Sequence, residues 1–399
     1  MAGPALRIAP PGFLADPPVA AVLDALPPAR PVGGSVRDAL AGRPVADVDL
    51  ATPQPPQEVM AALARAGLRA VPTGLAHGTV TAVAGGRGFE VTTLRRDVST
   101  DGRHADVAFT DDWQEDAARR DFTFNAMSMT RDGAIYDYFG GVTDLRAGLV
   151  RFVGDPATRI AEDFLRILRF FRFHARYGRG APDAAALAAI AAGVPGLARL
   201  SAERVWSELK RILAAPDPCD AIAMMSRLGV LAAVLPEGAD PGRLDALVQA
   251  GAPADPVLRL AALLDGDAEA LAARLRLSVE EQRRLVALRR PGAPAPGMPR
   301  PGAGLADLRR ALADTPKEVL IGRSWLAGAG PEWDALRASL ASLARPVFPL
   351  AGRDALALGF APGPRVGAAL RAVRAWWLEG GCLADAAACR AELARRLAG

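Results

Sequence analysis

Pro31-Val-Gly-Gly-Ser-Val-Arg-Asp-Ala-Leu-Ala-Gly-Arg-Pro-Val-Ala-Asp-Val-Asp-Leu-Ala-Thr52 is the stretch whose reading decides the fold. Two adjacent glycines, Gly33 and Gly34, open a short helix that carries Arg37 and Asp38. Glycines let a backbone approach a phosphate closely, and a helix N-terminus turns unpaired N–H groups toward it. Asp47 and Asp49 then alternate in a run expected to be a strand, so both carboxylates point to one face. Carboxylate and phosphate oxygens are what magnesium prefers. A phosphate cradle followed by a carboxylate pair predicts phosphoryl or nucleotidyl transfer.

At 399 residues the chain exceeds one ordinary core and implies about two to four domains. No apolar run reaches the ~18 residues that span a bilayer, which argues against a membrane partner. The residues after Met1 show no basic-then-apolar leader pattern, so the expected location is cytoplasmic. Cys219, Cys382 and Cys389 are too scattered for a disulfide framework or a zinc site, and His77, His104 and His174 do not cluster as metal-hydrolase ligands would. The formal charge is +4, and among 48 basic residues only Lys210 and Lys317 are lysines. Arginine suits bidentate phosphate contacts, although a GC-rich genome also writes Arg, Ala, Gly and Pro.

Residues 20 to 150 read as a mixed α/β region. Helices are expected over 19–26, 55–66 and 113–119, and strands over 47–51, 79–84, 88–93 and 134–138. The polar stretch Leu94 to Asp112 reads as a long mobile loop. After Gly154 strand patterns vanish. Helices are expected over 157–177, 183–192, 201–214, 218–233, 242–249, 256–275, 278–290 and 304–312, with helical texture from Val319 onward and a turn into a helix at Gly359 to Gly367. The proline-rich break Pro291 to Gly304 reads as a linker or long loop.

Three groups of residues carry chemistry. Asp47 and Asp49 are the expected metal ligands. Glu90, a charge between Phe89 and Val91 in an apolar strand pattern, is the candidate third carboxylate. Arg119-Arg120-Asp121-Phe-Thr-Phe-Asn125 sets arginine beside aspartate, a combination that could hold a phosphate and a ribose hydroxyl. In the segment 159–176, Asp163, Arg166, Arg169 and Arg172 recur every third residue. On one helix that makes an oblique stripe about 13 Å long, the reach of a nucleoside triphosphate, while Phe164, Ile167, Leu168, Phe171 and Ala175 anchor the other side. Asp163 can accept from an exocyclic amino group, Arg166 can donate to a base edge, and Arg169 and Arg172 can meet phosphates.

With these elements in order, the chain resembles the class II tRNA nucleotidyltransferase and bacterial poly(A) polymerase superfamily, and is most similar to its CCA-adding branch. The matching text is GGSVRDALAGRPVADVDLAT, FEVTTLR, EDAARRDFTFNAM, YDYFGGVTDL, VGDPATRIAEDFLRILRFFRF and SAERVWSELKRIL, together covering about residues 30 to 215. The resemblance implies an α+β fold: a polymerase-beta-like nucleotidyltransferase head with a mixed sheet, then an all-helical neck, body and tail. The expected division is an N-terminal extension over 1–20, head 21–150, neck 151–216, body 217–305 and tail 306–399.

It implies that Asp47 and Asp49 bind catalytic magnesium, with Glu90 completing the set. Gly34, Arg37 and Arg120 would bind the triphosphate, and Asp121 would approach the ribose. Asp163 and Arg166 would act as an amino-acid template for cytosine or adenine, with Arg169 and Arg172 completing the nucleotide site. Arg95 to Thr110 matches the family's flexible loop. Phe164 departs from the proline or alanine of many relatives. The implied substrates are CTP, ATP and tRNA, held at its acceptor end and elbow. Arg199, Arg204, Arg211, Arg365, Arg371 and Arg374 are the candidates to replace the lysine contacts that the chain lacks. Protein partners are not readable. The alternatives are a poly(A) polymerase, an enzyme adding only CC or only A, and a non-catalytic RNA-binding module. The text Pro72-Thr-Gly-Leu-Ala-His-Gly-Thr79 resembles CCA-adding members rather than poly(A) polymerases.

Overall fold

The computed structural model describes residues 3–100, 105–289, 298–359 and 361–398. The chain divides into two compact units, Met1–Pro236 and Glu237–Gly399.

The first unit opens with strand β1 (Leu6–Arg7) and helix α1 (Pro17–Ala25). Then come β2 (Arg30–Pro31), α2 (Gly34–Leu40), β3 (Leu50–Thr52), α3 (Pro56–Arg65), β4 (Arg69–Gly74), β5 (Thr79–Ala84) and β6 (Arg87–Thr93). Strands β2-β3-β6-β5-β4 form one mixed sheet in that order, parallel only between β3 and β6. β5 alternates half-buried threonine or valine with buried Val80, Ala82 and Ala84, and α1 and α3 pack against it. That alternation is the period-2 pattern of a sheet with one covered face. Leu50, Val91 and Val80 share a register row and are buried. One step along, Glu90 pairs with Thr81 on the opposite, open face.

The polar stretch expected as a loop is instead a β-hairpin, β7 (Arg95–Thr100) with β8 (Ala105–Phe109). Its expected sequence mark, apolar alternation, is missing because a two-stranded ribbon need not cover a core; residues 101–104, including His104, lie outside the described residues. β4 was not expected either. Pro72 lies within it, as an edge strand tolerates. α4 (Trp113–Ala118), β9 (Ser128–Met129), β10 (Ala134–Tyr136) and α5 (Gly141–Ala147) complete the α/β part. β1 pairs with β10, so the segment read as an extension supplies a strand of the three-stranded sheet β1-β10-β9.

Helices follow: α6 (Pro156–Glu162), α7 (Leu165–Tyr177), α8 (Ala184–Gly193), α9 (Ala202–Leu213), α10 (Cys219–Arg227) and α11 (Val230–Val234). The single helix expected over 157–177 is broken at Asp163 and Phe164. Asp163 takes extended angles (φ −155°), and its Oδ1 accepts from the Leu165 N–H at 3.0 Å. An aspartate that caps the next helix competes with continuing the previous one. Phe164 lies against Gly196, where a Cβ would come 2.0 Å from its ring. The expected helix 218–233 likewise divides at Gly229.

The second unit is helical. Pro241–Gln249 and Pro256–Leu263 each start with aspartate at the N-cap and proline at the first position, a favourable pairing of side-chain acceptor and preset φ. The expected helix 256–275 is two, with Asp267 capping Ala268–Arg274. Leu308, Leu312, Leu320, Leu336 and Leu340 form one apolar core, and Leu350, Val373, Trp377 and Leu393 belong to another. The expected linker 291–304 falls partly on residues 290–297, which lie outside the described residues. Among the described residues no helix is long and apolar enough to cross a membrane.

Candidate active site

The site rests on an aromatic base. Phe122 packs on Phe152 at 4.8 Å between ring centroids and on Phe173 at 5.3 Å, while Phe124 meets Phe173 at 5.4 Å. These contacts fix α7 against the 121–125 segment. The apolar side of α7 is thereby buried, and Arg166, Arg169 and Arg172 are only half-buried on its other side.

Gly33 precedes α2 with φ +61° and ψ −117°, a conformation open to glycine. A Cβ there would lie 3.2 Å from Nη1 of Arg120. The Val32 N–H donates to the carbonyl of Asp49 at 3.0 Å, which ties the glycine turn to the carboxylate segment. Arg37 donates from Nη1 to Asn125 Oδ1 at 2.7 Å and from Nε and Nη2 to Asp38.

Each arginine is held by a carboxylate that points it. Asp116, buried to 3%, accepts from Arg119 at 2.8 and 2.9 Å and from Arg120 at 3.1 and 3.3 Å. Burial opposes its ionisation, but Arg120 and Arg119 hold its carboxyl below the usual carboxylate range. Asp121 is likewise buried. Its Oδ1 accepts from Phe122 N at 2.9 Å and Asn125 Nδ2 at 3.0 Å, and its Oδ2 from Arg169 Nε at 2.6 Å. Burial again opposes ionisation and Arg169 outweighs it, so the Asp121 carboxyl sits low and the Arg169 guanidinium high. Asp163 accepts from Arg204 at 2.6 Å. Arg166 pairs with Glu162 and donates to the carbonyls of Arg159 at 2.8 Å and Arg119 at 3.3 Å. Arg172 donates to the buried Glu208 of α9 at 3.2 Å, and the second Glu208 oxygen has no hydrogen-bond partner. Burial, with Arg169 and Arg211 nearby, pushes the Arg172 guanidinium down to about 10.

Together these groups line a cavity of about 430 Å³, with Gly33, Gly34, Arg37, Asp49, Arg120 and Arg166 among its walls. The cavity has an excess of guanidinium groups, and Arg172 is short of countercharge. That is the electrostatic state an incoming polyphosphate would relieve. At its edge is a carboxylate group. Asp47 and Asp49 are exposed on either side of buried Val48, as strand alternation predicts, although β3 begins only at Leu50. Asp49 lies one step before Leu50, beside Glu90 on the open sheet face. Partial burial and the charges of Glu90 and Asp47 raise the Asp49 carboxyl, and Arg120 opposes them. Mutually repelling carboxylates offer oxygen donors of the kind magnesium takes, with water and phosphate completing its shell. Among the described residues no three such side chains close into a preformed cage.

Residues 29–151 match the family described as the poly A polymerase head domain. Residues 181–240 match the probable RNA and SrmB-binding site of polymerase A. The mitochondrial CCA tRNA nucleotidyltransferase 1 of Danio rerio is 39% identical over 363 residues, which is 87% of this chain and 83% of that protein. The chain belongs to the CCA tRNA nucleotidyltransferase family. A CCA-adding enzyme of Anoxybacillus flavithermus is 42% identical over 208 residues, 52% of this chain and 51% of that one. The crystal structure of the Bacillus stearothermophilus CCA-adding enzyme in complex with CTP superposes with a TM-score of 0.75 at 29% identity, covering 96% of this chain and 98% of that chain.

Within this family fold, Gly34, Arg37, Asp49, Arg120, Asp121, Asp163, Arg166, Arg169 and Arg172 all line one cavity. Asp47 and Glu90 lie outside its wall, on the carboxylate edge. Asp121, expected at the ribose, has both oxygens engaged by protein groups. Sequence reading missed the residues that orient the arginines. Asp116 stands three and four residues before Arg119 and Arg120, the spacing at which helical side chains meet. Glu208 is a charge on the side of α9 that also buries Val205, Leu209 and Ile212. Of the arginines expected to replace lysines, Arg204 pairs with Asp163, Arg211 with Glu208 and Arg374 with Asp314.

Proposed function

We propose that this chain adds or repairs the 3′-terminal CCA of tRNA from CTP and ATP without a nucleic-acid template. The observation that carries the reading is the junction of two charge environments at Asp49: an arginine-lined cavity of triphosphate size meets an edge of carboxylates. Membership of the family supports tRNA as the acceptor.

In this reading the terminal hydroxyl of tRNA attacks the α-phosphate of the bound nucleotide in line, and pyrophosphate leaves. Asp47, Asp49 and Glu90 would hold magnesium. When bound, the ion favours the deprotonated hydroxyl and neutralises charge on the leaving group. Gly34, Arg37 and Arg120 would take the β- and γ-phosphates, and Arg169 and Arg172 would add positive charge along the cavity. Asp121 fixes Arg169 rather than having an oxygen to spare. Asp163 and Arg166 would read the base edge. Each Asp163 oxygen keeps a lone pair beyond its contact with Leu165 or Arg204. The N–H groups of Arg166 that are not directed at Glu162, Arg159 and Arg119 can face a base. Fixed donors and acceptors select bases because a mismatched nucleotide leaves them unpaired.

The head, neck, body and tail division and a cytoplasmic location belong to the same reading. The test is extension of tRNAs ending before CCA, after C and after CC, with magnesium and with CTP and ATP supplied singly and together. Addition that stops at CCA supports the proposal. A long A tail supports a poly(A) polymerase, and extension confined to one nucleotide type a partial enzyme. No product on any acceptor refutes catalysis. The Arg166→Ala variant is expected to blur selection between CTP and the other nucleotides; unchanged preference would remove Arg166 from base reading.

A further inference from the structure

A second cavity in the first unit, about 550 Å³, lies at the C-terminal ends of α2, α5 and α7. Arg43, Arg146, Arg176 and Arg179 stand around it, above a wall that includes Leu40 and Val142. Several other arginines of this unit are neutralised: Arg7 by Asp132, Arg87 by Asp16, Arg131 by Asp24 and Arg169 by Asp121. Among the described residues none of the four cavity arginines pairs with a carboxylate.

Their partners are helix ends. Arg43 donates from Nη2 to the Arg176 carbonyl at 2.8 Å, in the last turn of α7, and Arg179 donates to the Arg146 carbonyl at 3.1 Å, in the last turn of α5. The Arg179 N–H also reaches the Gly148 carbonyl at 2.9 Å. Gly148 has φ +70°, and a Cβ there would lie 2.6 Å from the Arg179 Cβ, so the close approach is built in. A helix C-terminus offers about half a negative charge. Three of them against four guanidinium groups leave about two and a half positive charges unanswered.

We propose that this cavity is a second phosphate-binding site, distinct from the nucleotide cavity, and that its ligand is the phosphodiester backbone of the RNA substrate. The identity of the RNA rests on the function proposed above; the phosphate chemistry does not. Tyr177, in the wall of this cavity, connects it to the nucleotide cavity. Its ring lies 4.8 Å from the Arg37 guanidinium, which lines the nucleotide cavity, and 4.8 Å from that of Arg43. Its hydroxyl donates to Asp38, the partner of Arg37. Backbone phosphates seated here would therefore bear on the same helix, α2, that presents Arg37 to the nucleotide.

The test uses the full chain and R146Q/R176Q, two exposed arginines whose side chains hold no other element in place. Affinity for tRNA lacking CCA is measured from 50 to 300 mM salt, and pyrophosphate binding is measured by calorimetry. Loss of two phosphate contacts is expected to weaken tRNA binding about tenfold and to flatten the slope of log Kd against log salt by about 1.5, with R146K/R176K close to wild type. A fall in pyrophosphate stoichiometry from two per chain to one, with RNA binding unchanged, keeps the phosphate site but rejects RNA as its ligand. Wild-type values for tRNA affinity, salt slope and pyrophosphate stoichiometry overturn the site. Extension of tRNA by the wild type is scored in parallel. If it fails while R146Q/R176Q still loses a pyrophosphate, the proposed function fails and the phosphate site stands.

Discussion

Replacing Asp49 with asparagine is expected to stabilise the metal-free protein while abolishing nucleotide addition. Asp49 lies beside Glu90 on the neighbouring strand and two residues from Asp47, and its carboxyl is raised by partial burial and by those two charges. The sign follows from linkage. A carboxyl whose folded pKa lies above its unfolded value favours folding when protonated, and loses that contribution as pH rises from the unfolded value through the folded one. At neutral pH the ionised group therefore costs stability, and an isosteric neutral side chain removes the cost.

Adjacent strands lie about 4.8 Å apart, where two unit charges in water repel by about 0.9 kcal/mol. Screening at this exposed edge and the lost attraction to Arg120 reduce that, leaving a net gain of up to about 1 kcal/mol. For a unit of this size 1 kcal/mol is worth about 2–4 °C in Tm. Differential scanning calorimetry in a chelator at pH 7.5 should place Asp49→Asn about 1–3 °C above wild type, and the gap should close below about pH 4, where Asp49 is protonated. Magnesium at ten times its Kd should stabilise wild type by about 1.4 kcal/mol and the variant by much less. A variant that melts below wild type in chelator, or gains as much from magnesium, refutes the reasoning.

Asp116→Asn should cost about 3 kcal/mol, because it leaves Arg119 and Arg120 without the buried charge that both grip. Its depressed carboxyl contributes stability that is present above the ordinary carboxylate pKa of about 3.9 and lost as pH falls below it, so urea titrations of wild type and variant should converge in acid; a constant gap would exclude this ion pair as the cause. Gly33→Ala should lose about 1–3 kcal/mol from backbone strain at φ +61° and raise KM for the nucleotide as Arg120 is displaced, and steady-state kinetics showing an unchanged KM would remove Arg120 from the nucleotide site. Glu208→Gln should cost about 3 kcal/mol, because it leaves the Arg172 guanidinium without the buried carboxylate it donates to; a urea titration that superimposes on wild type would refute the pairing.

How far the sequence reached depends on the distance over which each feature is decided. The Gly33 turn, Arg37 and the Asp47 and Asp49 alternation are set within a few residues, and they stand as spacing implied. The arginines of α7 were also legible, because their period of three is local. The break before them was not. Asp163 had to be weighed as a helix residue or as a cap for the next helix, and the contact of Phe164 with Gly196, which favours the break, spans 32 positions. The hairpin of β7 and β8 escaped because polar strands outside a core leave no apolar period. Longer-range still is the partner of each charge. Composition gives a chain rich in arginine, but whether an arginine is neutralised depends on which helices the fold brings together. Arg204, Arg211 and Arg374 looked available for RNA and are matched by Asp163, Glu208 and Asp314. Arg43, Arg146, Arg176 and Arg179 carried no pattern in the sequence, since 133 positions separate Arg43 from the carbonyl of Arg176 that it caps. Where the net charge is only +4, a recognition surface for a polyanion arises where arginines left without acids gather, and that gathering is fixed by tertiary pairing.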